Sequence, residues 1–167
     1  MRPLHVTVIL ALGGGCGGDV DLSGIYRVDV SVASRPCGAD APVTSAPSFV
    51  KLTKANLFGT DYFAYDGCTD EAGTDCTSIG GLFGGFFEPI DGGWRGFASY
   101  ASNSGLNCTL GISDTTAILD GTRLVIDGST YEDRVELLEE QCTPEEAEKR
   151  GEAMPCTEHE RVEATRL

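Results

Sequence analysis

Between residues 25 and 126 the chain is cut into short β-forming runs by closely spaced turn signals, and no long helical period interrupts them. Ile25 to Val32 alternates cleanly. Tyr26, Val28, Val30 and Val32 fall on one side and Arg27, Asp29 and Ser31 on the other, the period of two expected of a half-buried strand. Similar runs recur at Phe49–Thr53, Tyr62–Tyr65, Leu82–Glu88, Trp94–Tyr100, Asn107–Ser113, Thr116–Leu119 and Arg123–Ile126. Asp66-Gly67, Asp91-Gly92-Gly93, Ser104-Gly105, Asp120-Gly121 and Asp127-Gly128 separate most of them. Asp120-Gly121 predicts a two-residue hairpin, since glycine accepts the positive φ such a turn requires. The fold class that follows is mainly β: an antiparallel meander, a sandwich or a small closed β-barrel. Ser34 to Pro47, rich in Pro, Ala and Ser, reads as a loop.

The last forty residues change character. Tyr131 to Leu138 can form a strand, and Thr143-Pro144-Glu145-Glu146 then predicts one short C-terminal helix. Thr143 can cap the free amides, Pro144 suits the first helical position, and Glu146 can close a capping box. Lys149 and Arg150 suit the negative end of the helix dipole, and Gly151 can terminate it. His159 to Leu167 returns as a final strand.

The chain holds 7 cysteines. Apart from Cys16 these are Cys37, Cys68, Cys76, Cys108, Cys142 and Cys156, which predicts three disulfides in an exported chain; spacing alone leaves the connectivity open. Cys142 and Cys156 bracket the helix, and Cys68 and Cys76 bracket the polar loop Thr69 to Asp75. If both pairs form, Cys37 is left for Cys108. Alternation along Cys108, Leu110 and Ile112 turns Cys108 towards the core. A zinc site is not expected: no C-x-x-C pair occurs, and beyond the N-terminal segment His159 is the only histidine.

The first sixteen residues set the expected location. Arg2 provides a positive start, Leu4 to Leu12 is dominated by apolar side chains, and Gly13-Gly14-Gly15-Cys16 follows. The apolar run is far shorter than the roughly 20 residues needed to span a bilayer and has the length of a secretory core. The segment resembles a bacterial lipoprotein signal, although Gly13 stands where that pattern places a Leu-like residue. The resemblance implies cleavage before Cys16, acylation of its thiol and attachment to a membrane of the cell envelope. Gly17 in place of Asp tilts the expectation to the outer membrane. The domain reading is then a signal peptide at 1–15, a lipid-anchored tether at 16–22 and a single disulfide-stabilised β domain at 23–167. The alternative is an ordinary cleaved secretory peptide that leaves a periplasmic or secreted soluble protein.

A second resemblance concerns the domain. Gly24-Ile25-Tyr26 opens the first strand and resembles the G-x-W that begins the lipocalin barrel, with Tyr for Trp. Thr60-Asp61-Tyr62 resembles that family's T-D-Y motif but lies much earlier in the chain than the family places it. The resemblance implies a barrel-like architecture that binds a small ligand.

Composition and motifs exclude more than they assign. With 26 acidic against 12 basic side chains and a formal net charge of −14, the surface repels nucleic acid. No G-x-S-x-G elbow, H-E-x-x-H helix or phosphate-binding loop is present, and Gly80 to Gly85 lacks the lysine a P-loop needs. His159 falls on the polar face of its strand with Arg161 and Glu163 and is expected to face solvent. The acidic loop Asp66 to Asp75 lacks the ligand order of an EF-hand, so neither a metal nor any other cofactor is expected. The aromatic cluster is the remaining lead. Phe86, Trp94, Phe97 and Tyr100 can line an apolar pocket or simply fill a β core. The reading is a non-enzymatic envelope lipoprotein that presents a β domain to a small hydrophobic ligand. The alternative is a structural or protein-interaction module with a filled core, whose partner is an envelope protein.

Overall fold

The computed structural model describes residues 20–79, 85–104, 107–136 and 139–167. Eleven strands form one antiparallel sheet: β1 (Gly24–Ser34), β2 (Ala41–Pro42), β3 (Phe49–Leu57), β4 (Thr60–Cys68), β5 (Cys76–Ser78), β6 (Gly85–Phe86), β7 (Glu88–Ile90), β8 (Gly93–Ser104), β9 (Asn107–Asp120), β10 (Arg123–Glu136) and β11 (Cys156–Arg166). The order across the sheet is β5-β4-β3-β1-β11-β10-β9-β8-β7, with β2 on β1 and β6 on β4. Neighbours in sequence are mostly neighbours in space, as the turn spacing predicts, and β11 returns beside β1, so that the first and last strands pair.

The closed-barrel expectation is corrected. Gly85–Phe86 pairs with β4 and Glu88–Ile90 with β8, so one short segment leans on both flanking strands at different heights. Two- and three-residue strands are too short to stitch β4 to β8 along their length, and among the described residues the sheet remains unclosed.

Several strands are also longer than the turn signals imply. β9 absorbs both runs expected between residues 107 and 119, and β10 runs straight through Asp127-Gly128. Gly128 is there for packing: a Cβ at this position would lie 2.7 Å from the Thr115 hydroxyl on β9. Asp66-Gly67 likewise stays inside β4. The β9–β10 hairpin exists, one residue later than expected. Asp120 still pairs with Arg123, and Gly121 enters the turn at φ 60°. Of the Ser104-Gly105 signal, Gly105 lies outside the described residues.

The C-terminal helix α1 (Pro144–Arg150) starts and stops where expected. Thr143 accepts from the Glu146 amide, Pro144 opens the helix and Gly151 closes it at φ 52°. The reciprocal half of the capping box is absent, because Glu146 instead accepts from Arg150 Nε at 3.1 Å.

The disulfides are Cys37–Cys156, Cys68–Cys76 and Cys108–Cys142. The Cys68–Cys76 pairing agrees with the spacing argument; the Cys142–Cys156 and Cys37–Cys108 pairings are corrected. Cys108 lies with Leu110 and Ile112 on the face of β9 that α1 covers, packed against Ala147 and Met154, so the segment leading into the helix meets Cys108 first. Cys156 opens β11 beside the end of β1, within reach of Cys37.

The main core lies on the opposite, inward face: Leu22, Tyr26, Val50, Leu52, Phe63, Phe86, Trp94, Ala117, Leu124, Ile126 and Ala164. Leu22 is fully buried, and Val20 accepts a hydrogen bond from the Trp94 indole at 2.7 Å. Residues 20–22 therefore belong to the folded domain and not to a tether. Three disulfides point to an oxidising, extracytoplasmic environment. No described helix is long and apolar enough to cross a membrane.

Candidate functional site

Side-chain size changes abruptly along the inward face. One row across four strands reads Trp94, Ala117, Ile126 and Val162, and it is packed solid. The next inward rows read Gly96, Thr115, Gly128 and Glu160, then Ala98, Ser113, Thr130 and Glu158. The β8, β9 and β10 members of these rows are too small to meet across the sheet, and a cavity of about 630 Å³ opens above the Trp94 row. Its floor and walls include Ile126, Val162, Phe86 and Tyr65.

The four aromatic residues expected at a pocket separate into different roles. Phe86, Phe97 and Tyr100 border the cavity. Trp94 does not; it is 2% exposed in the core beneath, with its ring edge-on to Phe63 at 5.0 Å. The indole N–H has found Val20, which fixes the ring in the packed layer. Phe97 keeps 41% exposure, with the Arg95 guanidinium 5.1 Å from its ring centroid. Tyr100 lies flat over Gly111, where a Cβ would come within 2.2 Å of its ring, and its hydroxyl donates to Glu132 at 2.9 Å. Burial first, then the Glu132 carboxylate, push the Tyr100 phenol up to about 12.

Two carboxylates border the same cavity, and sequence reasoning passed over them. Alternation in β11 puts Glu158 and Glu160 on the inward side with Val162 and Ala164, a pattern readable from the sequence once Ala164 is recognised as core. Arg35, at the end of β1, donates through Nε to Glu158 at 2.6 Å and through Nη2 to both Glu158 and Glu160, the latter at 3.4 Å. The Cys37–Cys156 bridge holds that arginine's loop against β11, with Cα atoms 5.5 Å apart. Burial pushes the Glu160 carboxyl up and the neighbouring Glu158 adds to the shift, together outweighing Arg35. Tyr65 packs beside Phe86, ring centroids 6.1 Å apart. Burial raises its phenol strongly, and the Glu160 charge contributes to the same shift.

The outward face carries a separate ionic ladder. Arg95 pairs in two-pronged fashion with Asp114, at 2.7 and 2.6 Å. Arg161 bridges Asp127 and Glu163, each at 2.9 Å. His159 lies on the outward face, as the alternation predicts, but it is held between Asp40 at 3.0 Å and Asp127 at 3.4 Å, only 24% exposed. The Asp40 hydrogen bond is the main reason its imidazole titrates above the ordinary value. In the acidic loop, Asp70 accepts from the Thr74 and Asp75 amides, which pull its carboxyl down. Among the described residues no cluster of metal-binding side chains occurs. Cys16 lies outside the described residues.

No protein-family model matches the chain, and neither a curated protein nor a solved structure matches it.

Proposed function

We propose that this protein is a non-enzymatic lipoprotein of the cell envelope, anchored by acylated Cys16, whose β domain binds a small hydrophobic ligand. The cavity carries the ligand-binding half of this reading. A volume of about 630 Å³ lies within the range of small-molecule sites, and mainly apolar walls with a few convergent polar groups are what such sites have. The lipocalin-like start at Gly24-Ile25-Tyr26 fits the same reading: Tyr26 is fully buried at the packed end, where its hydroxyl donates to Leu22 and accepts from Arg166. The non-enzymatic half is supported by His159, which is committed to two carboxylates and not to a serine or cysteine. The anchor rests on the sequence around Cys16, and two acyl chains supply the stable attachment that one does not. Gly17 favours the outer membrane.

Native mass spectrometry of gently purified protein tests the ligand. A co-purifying small molecule released on denaturation is expected; a clean apo mass counts against the binder. Cys16→Ser is expected to move the protein from the membrane to the soluble fraction, and unchanged fractionation would sink the lipoprotein assignment. One observation favours the second reading, an interaction module. Phe58, at the tip of the β3–β4 hairpin, is fully exposed beside the exposed Leu57. If that reading holds, Phe58→Ser abolishes capture of an envelope partner while filling the cavity leaves it intact.

A further inference from the structure

The cavity has an electrostatic polarity that its hydrophobic walls do not account for. Glu158 and Glu160 project from the inward face of β11, a face otherwise continued by Val162 and Ala164. A single guanidinium, Arg35, serves both, and it is 68% exposed at the rim. Two carboxylates against one cation leave this corner one unit negative. Tyr65 lines the same space. The uncompensated charge lies beside the apolar wall of Phe86, Ile126 and Val162, on carboxylates that are 27% (Glu158) and 57% (Glu160) exposed.

We propose that the cavity takes an amphiphilic amine, its alkyl or aryl body against Phe86, Ile126 and Val162 and its ammonium between Glu158 and Glu160, with the Tyr65 hydroxyl as a further acceptor. This rests on the ligand-binding reading above and specifies its ligand class. Each alternative head group fits worse. A carboxylate or phosphate would meet two carboxylates and find the one arginine already engaged. A neutral head leaves the negative corner uncompensated. A hard divalent cation needs six or more oxygens, and an apolar wall does not supply them. The ammonium supplies the missing charge and three N–H donors for the oxygens present. The acidic surface of the whole chain also draws cations towards the site.

The test uses the full chain, oxidised, with the neutral dye N-phenyl-1-naphthylamine as cavity probe and three ten-carbon competitors: decylammonium, decanol and decanoate. Decylammonium is expected to displace the dye at about one-tenth the concentration decanol needs, with decanoate weakest. The double substitution Glu158→Gln, Glu160→Gln is expected to bring the amine to within about twofold of the alcohol. Glu136→Gln, on β10 away from the cavity, controls for bulk charge and keeps the original order. Equal potency of the three competitors, or an amine preference that survives the double substitution, overturns the amine assignment and leaves the pocket standing. A dye that fails to bind, or that binds Ala98→Trp as well as the parent, overturns the pocket and the amine together. Circular dichroism checks each variant's fold, and Ser113→Leu is the second cavity-filling variant if Ala98→Trp does not fold.

Discussion

Along β8, β9 and β10 the two ends of the inward face share one unbroken register, yet one is solid and the other hollow. At the solid end Tyr26, Leu52, Phe63, Trp94 and Leu124 are each at most 2% exposed, and both polar atoms of the large aromatics are satisfied by the chain entry at Val20 and Leu22. At the hollow end the inward positions of β8, β9 and β10 are Gly, Ala, Ser and Thr. There a disulfide and an arginine shared between two glutamates take the place of packing. β-Sheet register thus sets where side chains point, while their size alone decides whether the enclosed space becomes core or site. Stability is therefore expected to depend on packing at one end and on cross-links at the other.

The largest effect tests the cross-linked end. Cys37–Cys156 closes a loop with a sequence separation of 119, against 8 for Cys68–Cys76. On loop-closure entropy, replacing the first pair by serines lowers stability by about 5 kcal/mol and replacing the second by about 2.5 kcal/mol. Urea unfolding of the two double variants measures the difference. Equal losses would mean that the rim near Arg35 is held by something other than the bridge.

A pair of substitutions two rows apart contrasts the ends directly. Trp94→Ala in the packed row is expected to cost about 3–5 kcal/mol, from lost burial plus the void it leaves. Ala98→Leu, four residues along the same strand and facing the cavity, should stay within about 1 kcal/mol of the parent because space is already there. The same denaturation series reads both. A large penalty for Ala98→Leu would show the cavity to be too tight to serve as a site.

How much of this could be read in advance differs between the ends as well. The mainly β class, the capped helix and the buried aromatic layer follow from period, caps and composition, which act locally. Asp127-Gly128 misleads because a glycine signals a turn and a close packing contact with the same letter, and only the Thr115 neighbour tells them apart. The cysteine pairing fails for a related reason: proximity in sequence joined Cys142 to Cys156, while the two faces of the sheet send Cys142 to Cys108 and Cys156 to Cys37. Phe86, Phe97 and Tyr100 were legible as cavity residues, but nothing local distinguishes them from Trp94, whose indole is claimed by a carbonyl 74 residues away. Glu158 and Glu160 were legible by alternation and were hidden by the habit of reading charged residues as outward.

A smaller effect probes polar satisfaction within the solid end. The Tyr26 hydroxyl donates to the Leu22 carbonyl at 2.7 Å and accepts from Arg166 Nη2 at 2.7 Å, with the guanidinium over its ring at 5.2 Å. Tyr26→Phe keeps the ring and removes the hydroxyl's hydrogen bonds to Leu22 and Arg166, so a loss of about 1–2 kcal/mol is expected. A fall well beyond that would mean that the N-terminal entry, and not just one hydroxyl, has come loose.

The smallest effect lies on the outward face and should leave the two ends untouched. His159 has its pKa raised above 6.5, first by the Asp40 hydrogen bond and then by Asp127, against the opposing effect of burial. Asp40, its partner, is lowered below 3.8 by the same contact. The histidine's contribution is fully present below its unfolded value near 6.5 and is lost as pH rises through the higher folded value. The aspartate's is present above 3.8 and is lost as pH falls through the lower folded value. The stability gap between the parent and His159→Gln should therefore be widest between those limits, at about pH 5.5, and narrow by about pH 9. Unfolding curves across that range measure the gap, and dye binding measured alongside should not follow it. A gap that stays constant to high pH would show that His159 acts through packing alone; a dye affinity that tracks the gap would mean that the outward ladder and the hollow end are coupled through β11.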